Sequence, residues 1–365
     1  MDFATSQGSN LGYNIANWVG GAHLAISVSV IATVKNEGDS ITRLLESLSE
    51  QTRPPDEVVI VDGGSEDDTL AQLQAWKDSG RLPLRVLVEP GCNISRGRNL
   101  AIAAAQGPII ASTDAGVRLD PSWLANLVQP FLSHGLTNPA PIVACGFFAP
   151  EATTLFEIAM AATVLPVLAD INPAKFLPSS RSVAFPKSAW ETVGGYPEWL
   201  DYCEDLIFDF RLRAQGYRFI FIPHAIAYFR PRSNLRAFFK QYYRYARGDG
   251  KADLWRKRHA VRYGTYLIAL PLFAWLCIRK SLLWGIPLAL GAAIMFWTPY
   301  KRLWPMVKPL PTIEKLKAIG LVPIIRVTGD IAKMLGYPVG VYWRLRHRRD
   351  IPQWRDGKNN PSEPG

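Results

Sequence analysis

Three residues that can bind polar ligands stand where apolar runs of strand length end. Thr33 lies near the end of "LAISVSVIATV", Asp62 directly follows "EVVIV", and Asp114 directly follows "PIIAST". In an open α/β sheet, ligands bind at the carboxyl ends of the strands. A carboxylate at such an end accepts hydrogen bonds from a ribose or a base, or helps to hold a cation. These three residues are therefore candidates for one shared site.

For Asp62 and its neighbours there is also a structural interpretation. The stretch "VDGGSEDDT" is typical of a glycine turn, with Ser65 and Asp68 spaced to form a capping box on the next helix. This interpretation accounts for Ser65 and Asp68 and leaves Asp62 without a role.

A second pair of acids opens the segment "CEDLIFDFRLRAQGYRF", where Glu204 and Asp205 fall in the first turn of a predicted helix. Acids in this position can simply favour the helix macrodipole. They can also include a general base, a carboxylate that takes a proton from a hydroxyl nucleophile. Asp209, one turn later, is expected to be exposed or salt-bridged.

The segment "FFKQYYRYARGDG" places Gln241 and Arg244 on one face of a predicted helix, among five aromatic residues. An aromatic helix at a core or membrane interface is the structural explanation of this pattern. The functional explanation is that Gln241 and Arg244 hold a diphosphate by paired hydrogen bonds.

The elements that must position these residues follow an α/β pattern, with a mainly parallel sheet. Strands are predicted at 24–34, 57–61, 84–88, 108–113 and 141–148, and helices at 41–48, 70–76, 98–107, 123–131 and 154–165. The stretch "NPAKFLPSSRSVAFP" is predicted to be a loop.

Charge is distributed unevenly along the 365 residues. Residues 1–229 carry 15 Lys/Arg and 24 Asp/Glu, a net charge of −9, whereas residues 230–365 carry 26 and 7, a net charge of +19. A basic block suits nucleic acid or an anionic membrane surface. Because the block surrounds long apolar runs, we expect a membrane and no nucleic acid. Four scattered cysteines without CxxC spacing argue against structural zinc and a disulfide scaffold.

The apolar runs predict a helical hairpin at about residues 263–299. Between Arg262 and Lys301, 36 of 38 residues are uncharged, and basic residues flank both ends. A spanning helix needs about 20 apolar residues, and flanking basic residues favour the cytosolic side. Arg279 and Lys280 would lie at the tip, on the far side of the membrane. A hairpin that enters the bilayer without crossing it is therefore the alternative.

Beyond the hairpin, helices at about 312–346 are expected, in which "LVPIIRVTGDIAKMLGYPVGVYWRLRHRR" suits a helix lying in the membrane interface. An amphipathic helix packed on the main domain is the alternative. Residues 350–365 predict a disordered tail. The N-terminus lacks a basic region before its apolar residues, so no signal peptide is expected and the main domain should stay in the cytosol.

The order of four segments resembles the family 2 glycosyltransferases of GT-A fold, over about residues 25–250. The segments are "TVKNEGDSITRLLESLSEQTRPPDEVVIVDGGSEDDT", "SRGRNLAIAAAQGPIIASTDAG", "VGGYPEWLDYCEDLIFDFRLRAQGYRFIFIP" and "QYYRY". The resemblance implies an N-terminal extension (1–24), a GT-A domain (25–250) and a membrane-associated helical region (251–349). It also implies a nucleotide diphosphate sugar donor.

The resemblance assigns roles by position. Thr33, Glu37 and Asp62 would contact the base and ribose, and Arg98 the base or the phosphates. Asp114 matches the first acid of the DxD motif, which binds ribose and a divalent cation. Asp205, with Glu204 beside it, matches the catalytic base of the "ED" motif. Gln241 and Arg244 match the QxxRW motif, and Arg181 lies in the segment that usually lines the donor or acceptor pocket.

Three positions depart from the family pattern. Gly63 replaces an acid after "VD", Tyr245 replaces the Trp of QxxRW, and Gly116 replaces the second acid of DxD. Mg²⁺ can be held by one or two carboxylates with substrate phosphates and water. A divalent cation (Mg²⁺ or Mn²⁺) at Asp114 is therefore expected, with arginines as the alternative source of positive charge.

The sequence thus predicts an inverting glycosyltransferase at the cytosolic face of the inner membrane, acting on a lipid-linked or polysaccharide acceptor. A polyprenyl-phosphate glycosyltransferase, whose acceptor needs no base, is the second hypothesis. A non-catalytic protein that binds a nucleotide sugar is the third. Because two candidate spans are few for a secretion channel, addition of a single sugar is favoured.

Overall fold

A computed structural model of the chain describes residues 26–132 and 141–347. The predicted N-terminal extension and C-terminal tail lie outside these residues. The strands are β1 (Val28–Val34), β2 (Glu57–Asp62), β3 (Leu84–Val88), β4 (Ile109–Ser112), β5 (Val117–Leu119), β6 (Ile142–Pro150), β7 (Val183–Pro186) and β8 (Arg218–Phe229). The helices are α1 (Asp39–Ser49), α2 (Thr69–Ser79), α3 (Ile94–Ala104), α4 (Trp123–Leu132), α5 (Leu155–Val164), α6 (Lys187–Val193), α7 (Glu204–Ala214), α8 (Leu235–Lys251), α9 (Arg256–Tyr263), α10 (Leu270–Arg279), α11 (Gly285–Val307) and α12 (Thr312–Arg346).

The strands form one mixed sheet in the order β3-β2-β1-β4-β7-β6-β8-β5. Strands β1 to β4 pair in parallel, whereas β7 runs antiparallel to both β4 and β6. Strand β8 pairs in parallel with β6 and antiparallel with β5. The carboxyl ends of β1, β2 and β4 therefore lie at one edge of the sheet, as expected for a ligand site.

Alternating side chains bury both faces of the sheet. On β1, Val28 and Val30 pack with Leu44 of α1 and Trp123 of α4 on one face. Ile31 points to the other face, where α3, α6 and α7 supply residues such as Phe208. Period-2 alternation on a sheet covered by helices on both sides explains the near-continuous apolar runs of the central strands.

Two predicted elements differ from the structure. The predicted loop at 172–186 contains β7, whose four residues are too few to show a strand period in the sequence. Helix α3 ends at Ala104 rather than Gly107, because Ala105 is extended and Gly107 packs against Ser29. A Cβ on Gly107 would lie 2.8 Å from the Ser29 hydroxyl oxygen, so Gly107 allows the chain after the helix to pass close to β1.

The predicted capping box at Ser65 and Asp68 does not form. Asp68 is the N-cap of α2 but makes no side-chain capping bond. The Ser65 hydroxyl instead donates to Oδ1 of Asp62, and its oxygen accepts from the backbone N–H of Asn36.

Two helical segments, Arg256–Arg279 and Leu282–Val307, are long and apolar enough to cross a membrane. A π-helical turn, Gly264–Ala269, joins α9 to α10 within the first segment. Apolar side chains along both segments are exposed, including Ile278 (83%) and Leu282 (84%). The end of α11 packs against α12 through Leu303 and Val307.

Helix α12 packs on α8 through glycines. A Cβ on Gly336 would lie 2.2 Å from the Tyr243 carbonyl oxygen, and one on Gly340 would lie 2.0 Å from that of Arg247. The backbones therefore meet at a distance that no larger residue permits. Away from this contact, α12 carries exposed apolar residues: Ile313, Leu316, Ile324, Ile331, Leu335, Val339, Tyr342 and Leu345. One face of α12 therefore packs on the main domain and an apolar stripe is left uncovered. Its position in a membrane interface stays a prediction.

Candidate active site

Helix α3 is held close to the end of β1 by Gly97. A Cβ on Gly97 would lie 2.3 Å from Cγ2 of Thr33, so only glycine allows this approach. Asn93 begins α3 by accepting the backbone N–H of Arg96. Arg98, the residue after Gly97, therefore lies beneath the carboxyl ends of the strands. The Thr33 hydroxyl is itself buried without a hydrogen-bond partner.

The Arg98 guanidinium joins two of the predicted site acids. One nitrogen lies 2.7 Å from Oδ1 of Asp114, and another lies 2.6 Å from Oε1 of Glu204. The Arg98 side chain is only 3% exposed and stacks near the Tyr196 ring, 5.4 Å from its centroid. A guanidinium so enclosed orients the carboxylates from below and does not face a ligand. The structure thus gives Arg98 a different setting from the base or phosphate contact that the resemblance implies.

Arg181 approaches Asp114 from the other side. Its Nε lies 3.2 Å from Oδ2 of Asp114, and its guanidinium lies 4.7 Å from the centroid of the Phe229 ring. It also faces the Tyr245 hydroxyl, which accepts a hydrogen bond of 2.7 Å from Nε2 of Gln241. Tyr245, at the Trp position of the QxxRW pattern, therefore links α8 to the acids of the site.

The two acids that open α7 have different environments. Glu204 is 6% exposed and turned toward Arg98, and burial followed by the charge of Asp205 raises its pKa to about 7. Asp205 is half-buried, accepts the backbone N–H of Leu206 at 2.9 Å, and forms no ion pair among the described residues. Burial raises the pKa of Asp205 above its usual value. Asp205 thus differs from Glu204 in forming no ion pair among the described residues.

Glu37 lies beside the position where the second DxD acid is missing. Its Oε2 lies 3.8 Å from the place that a Cβ on Gly116 would take, and it accepts a hydrogen bond of 2.7 Å from the Ser40 hydroxyl. Burial and the nearby charge of Asp114 raise the pKa of Glu37. Glu37 and Asp114 are therefore two carboxylates close enough to repel each other, a common property of cation sites.

Asp62 is not arranged as the resemblance implies. It is fully buried, and its Oδ2 accepts the backbone N–H groups of Gly64 and Ser65 while its Oδ1 accepts the Ser65 hydroxyl. Its oxygens thus stabilise the glycine turn after β2. The turn needs this internal acceptor because Gly64 adopts φ 80°.

Asp209 is neither exposed nor salt-bridged, contrary to expectation. It is 3% exposed, its Oδ2 has no hydrogen-bond partner, and burial raises its pKa well above the usual value. This burial could not be predicted from the helical period, because the period does not show that α7 is covered on this side by the residues around Tyr196.

Gln241 and Arg244 donate to two different tyrosines. The Arg244 guanidinium donates to the Tyr202 hydroxyl at 2.9 Å, whereas Gln241 donates to Tyr245. Sequence reasoning missed Tyr196 and Tyr202, because a tyrosine in a loop carries no periodic signal.

Two family models match the chain. Glycosyl transferase family 2 covers residues 29–151, and Glycosyl transferase family group 2 covers residues 153–316. Together they cover most of the chain, including all of the site residues. The chain belongs to glycosyltransferase family 2. Its sheet is accordingly that of a GT-A fold, and the protein is a transferase enzyme.

Curated relatives are glycosyltransferases and polysaccharide biosynthesis proteins. O-antigen chain rhamnosyltransferase RfbN of Salmonella typhimurium is 24% identical over 55% of this chain and 65% of its own length. Validoxylamine A glucosyltransferase of Streptomyces hygroscopicus is 28% identical over 32% of this chain and 25% of its own. Succinoglycan biosynthesis protein ExoA of Rhizobium meliloti is 27% identical over 61% and 68%. The chain thus spans less than two thirds of the length of the first two.

Among solved structures, the mannosyltransferase PcManGT from Pyrobaculum calidifontis, in complex with GDP-Man and Mn²⁺, is similar over 87% of this chain and 86% of its own. The identity is 19% and the TM-score 0.49. GalNAc-T7 with UDP, GalNAc and Mn²⁺ is similar over 62% and 48%, at 15% identity and a TM-score of 0.47.

Proposed function

We propose that this enzyme transfers a sugar from a nucleotide diphosphate sugar to a hydroxyl of a lipid-linked or polysaccharide acceptor, with Asp205 as the general base. The observation that carries the proposal is the contrast between the two acids of α7. Glu204 is neutralised by Arg98, whereas Asp205 remains unpaired and half-buried beside the same network. A carboxylate that is held in place and left free is suited to take a proton.

The leaving diphosphate needs positive charge. Arg181 lies beside Asp114, its side chain is 23% exposed, and it faces Tyr245, so it is able to donate to a phosphate oxygen. Direct attack of the acceptor hydroxyl, assisted by one base, is a single displacement and inverts the anomeric carbon. Glu204 and Arg98 hold the acids in position and do not react.

A divalent cation fits the site when the donor's phosphates complete its ligands. No group of three or more His, Cys, Asp or Glu among the described residues can hold a metal alone. Asp114 and Glu37 provide two carboxylates, and Mg²⁺ commonly uses one or two together with substrate phosphates. When bound, the cation would neutralise charge on the leaving diphosphate. The carboxylate of Glu37 takes the place of the acid that Gly116 lacks.

Membrane attachment is supported by the hairpin and by α12. The two candidate spans, the exposed apolar stripe of α12 and the net charge of +19 over residues 230–365 suit an anionic cytosolic leaflet. We place the catalytic domain on the cytosolic side of the inner membrane, where lipid-linked acceptors are within reach.

The first test is a donor screen with the full chain in detergent. Release of nucleoside diphosphate is measured for UDP, GDP and dTDP sugars, with Mn²⁺, with Mg²⁺ and with EDTA. We expect one nucleotide class to be released. Full release in EDTA would contradict the cation site, and no release from any donor would favour a non-catalytic sugar-binding protein.

The second test replaces the base. Asp205→Asn should lower the rate of transfer to a hydroxyl acceptor by a factor of about 10² to 10⁴. Asp78→Asn is the control, since Asp78 is an exposed acid near the end of α2. Full activity of Asp205→Asn on a polyprenyl phosphate would instead support the polyprenyl-phosphate hypothesis, because a phosphate acceptor needs no base.

A further inference from the structure

A cluster of three basic residues lies where α12 meets the first candidate span. Nε of Arg262 lies 2.8 Å from Oδ1 of Asp330, and Nε of Arg326 lies 3.5 Å from its Oδ2. The Tyr266 hydroxyl also donates to Oδ2 of Asp330, at 3.1 Å. Asp330 is 5% exposed, so this single buried carboxylate orients two guanidiniums and a hydroxyl at once.

The third base, Lys333, is not neutralised by a direct contact. Its ammonium lies 5.0 Å from the centroid of the Tyr242 ring and makes no hydrogen bond or ion pair among the residues that the structure describes. Burial, followed by the charge of Arg262, lowers its pKa to about 8. Burial therefore makes the charged form of Lys333 less favourable than it would be in water.

The charges of the cluster do not balance. Arg262 and Arg326 both contact Asp330, and Lys333 lies in its field. The other acid that influences Lys333, Asp249, contacts the His259 ring at 3.2 Å and the Cys203 thiol at 3.4 Å. The cluster therefore keeps an excess of positive charge in a partly desolvated setting. An anion with several oxygens, such as a phosphate or diphosphate, is the ligand that such a group of donors fits.

The position of the cluster relates it to the catalytic cleft. Tyr242, under Lys333, lies 5.7 Å from Tyr245, centroid to centroid, and Tyr245 faces Arg181. On the other side, Arg262 belongs to the segment Arg256–Arg279, the first candidate span. A phosphate bound here would lie between the reacting groups and the apolar hairpin.

We propose that Arg262, Arg326 and Lys333 bind the phosphate or diphosphate head of the lipid-linked acceptor. This inference rests on the proposed function, since it assigns the acceptor class to that enzyme. Asp330 positions the two arginines, and Lys333 supplies a positive charge that makes no direct ion pair among the described residues. The lipid chain would continue along the hairpin, while the sugar or other hydroxyl beyond the phosphate would point toward Asp205.

The test measures lipid binding without any donor. Binding of farnesyl diphosphate and farnesol is followed by tryptophan fluorescence of the full chain in detergent, with phosphatidylglycerol added to the same micelles as the competing lipid. The variants are Lys333→Met, Arg326→Gln and, as control, Lys317→Met, an exposed lysine on the same helix. Lys333→Met removes a poorly solvated cation and should not lower the melting temperature, so a loss of binding would not reflect unfolding.

We expect farnesyl diphosphate to bind more tightly than farnesol. Its Kd should rise at least about tenfold in Lys333→Met and in Arg326→Gln, because each variant loses one charge-assisted hydrogen bond to the diphosphate. In Lys317→Met the Kd should stay constant. Equal Kd values in all variants would overturn the site. Displacement of farnesyl diphosphate by phosphatidylglycerol at equal concentration would overturn the acceptor assignment in favour of a membrane phospholipid.

The wild-type chain separates this inference from the proposed function. If it binds farnesyl diphosphate at the cluster but releases no nucleotide from any donor sugar, the proposed function fails and the site stands. If it hydrolyses a donor sugar and releases the nucleoside diphosphate but binds no lipid phosphate, the site fails and the transferase function stands.

Discussion

Arg98 lowers the pKa of both acids that open α7, and removing it should move the acid limb of activity. Arg98 is the largest influence that lowers the pKa of Asp205, and it also lowers that of Glu204. An arginine beside a carboxylate lowers its pKa by about 1 to 3 units. In Arg98→Met the pKa values of both acids should therefore rise by a similar amount. Since burial already raises the pKa of Asp205, the base would be protonated over more of the neutral range.

The direction of the effect follows from the role of Asp205. A base is active when deprotonated, so kcat/KM is lost as the pH falls through its pKa. In Arg98→Met this loss should begin at least about one pH unit higher than in the wild type, with recovery toward alkaline pH. At a fixed pH below the acid limbs of both the wild type and Arg98→Met, a rise of one unit in the pKa of the base lowers the rate about tenfold.

The assay is the pH dependence of sugar transfer or donor hydrolysis from pH 5.5 to 9.5, with nucleotide affinity measured at each pH. Arg98→Lys keeps the charge and should restore most of the wild-type profile, which a simple packing defect would not do. Arg81→Ala is the control, because Arg81 lies before β3 at the opposite end of the strands and stacks on Trp76. An unshifted acid limb in Arg98→Met would refute this role of Arg98.

Three further predictions concern the cation, the helix contact and a buried acid. Glu37→Gln should weaken Mn²⁺ binding in the presence of nucleotide by about tenfold, measured by electron paramagnetic resonance of free Mn²⁺, and an unchanged spectrum would remove Glu37 from the cation site. Gly336→Ala should lower the melting temperature, because its Cβ would lie 2.2 Å from the Tyr243 carbonyl oxygen, whereas Gly320→Ala, with nothing within 4 Å, should not. Asp209→Asn should be at least as stable as the wild type at pH 8, since a raised carboxyl pKa means that the folded state loses stability as the pH rises above the usual Asp value. Equal stability differences at pH 4 and pH 8 would contradict this explanation.

Much of the architecture could be predicted from local patterns. The period of the apolar residues predicts strands β1, β2, β3 and β4. It also predicts helix α1, whose buried stripe is Ile41, Leu44, Leu45 and Leu48. Because parallel strands present their carboxyl ends at one edge, the placement of Thr33 and Asp114 follows from the same pattern. The hairpin followed from composition alone, as its two segments are long, apolar and flanked by basic residues.

Which acids are buried or paired could not be predicted from their spacing. Asp62 and Asp114 both follow an apolar strand, yet Asp62 is enclosed by its own turn while Asp114 remains partly open. Glu204 and Asp205 are adjacent in the chain, yet only Glu204 meets Arg98, which lies 106 residues away. Burial and long-range ion pairs depend on how distant segments pack, and no local pattern encodes them.

The sequence by itself determined the order of strands and helices, the basic C-terminal third and the chemistry of the side chains at the strand ends. Tertiary structure decided which of those side chains pair and which stay free. Gly97, Gly336 and Gly340 matter only because another backbone or side chain approaches them. Glu37 lies close to Gly116 because β1 and β4 are neighbours in the sheet. Period and composition are properties of a short stretch, whereas charge compensation is a property of the packed molecule.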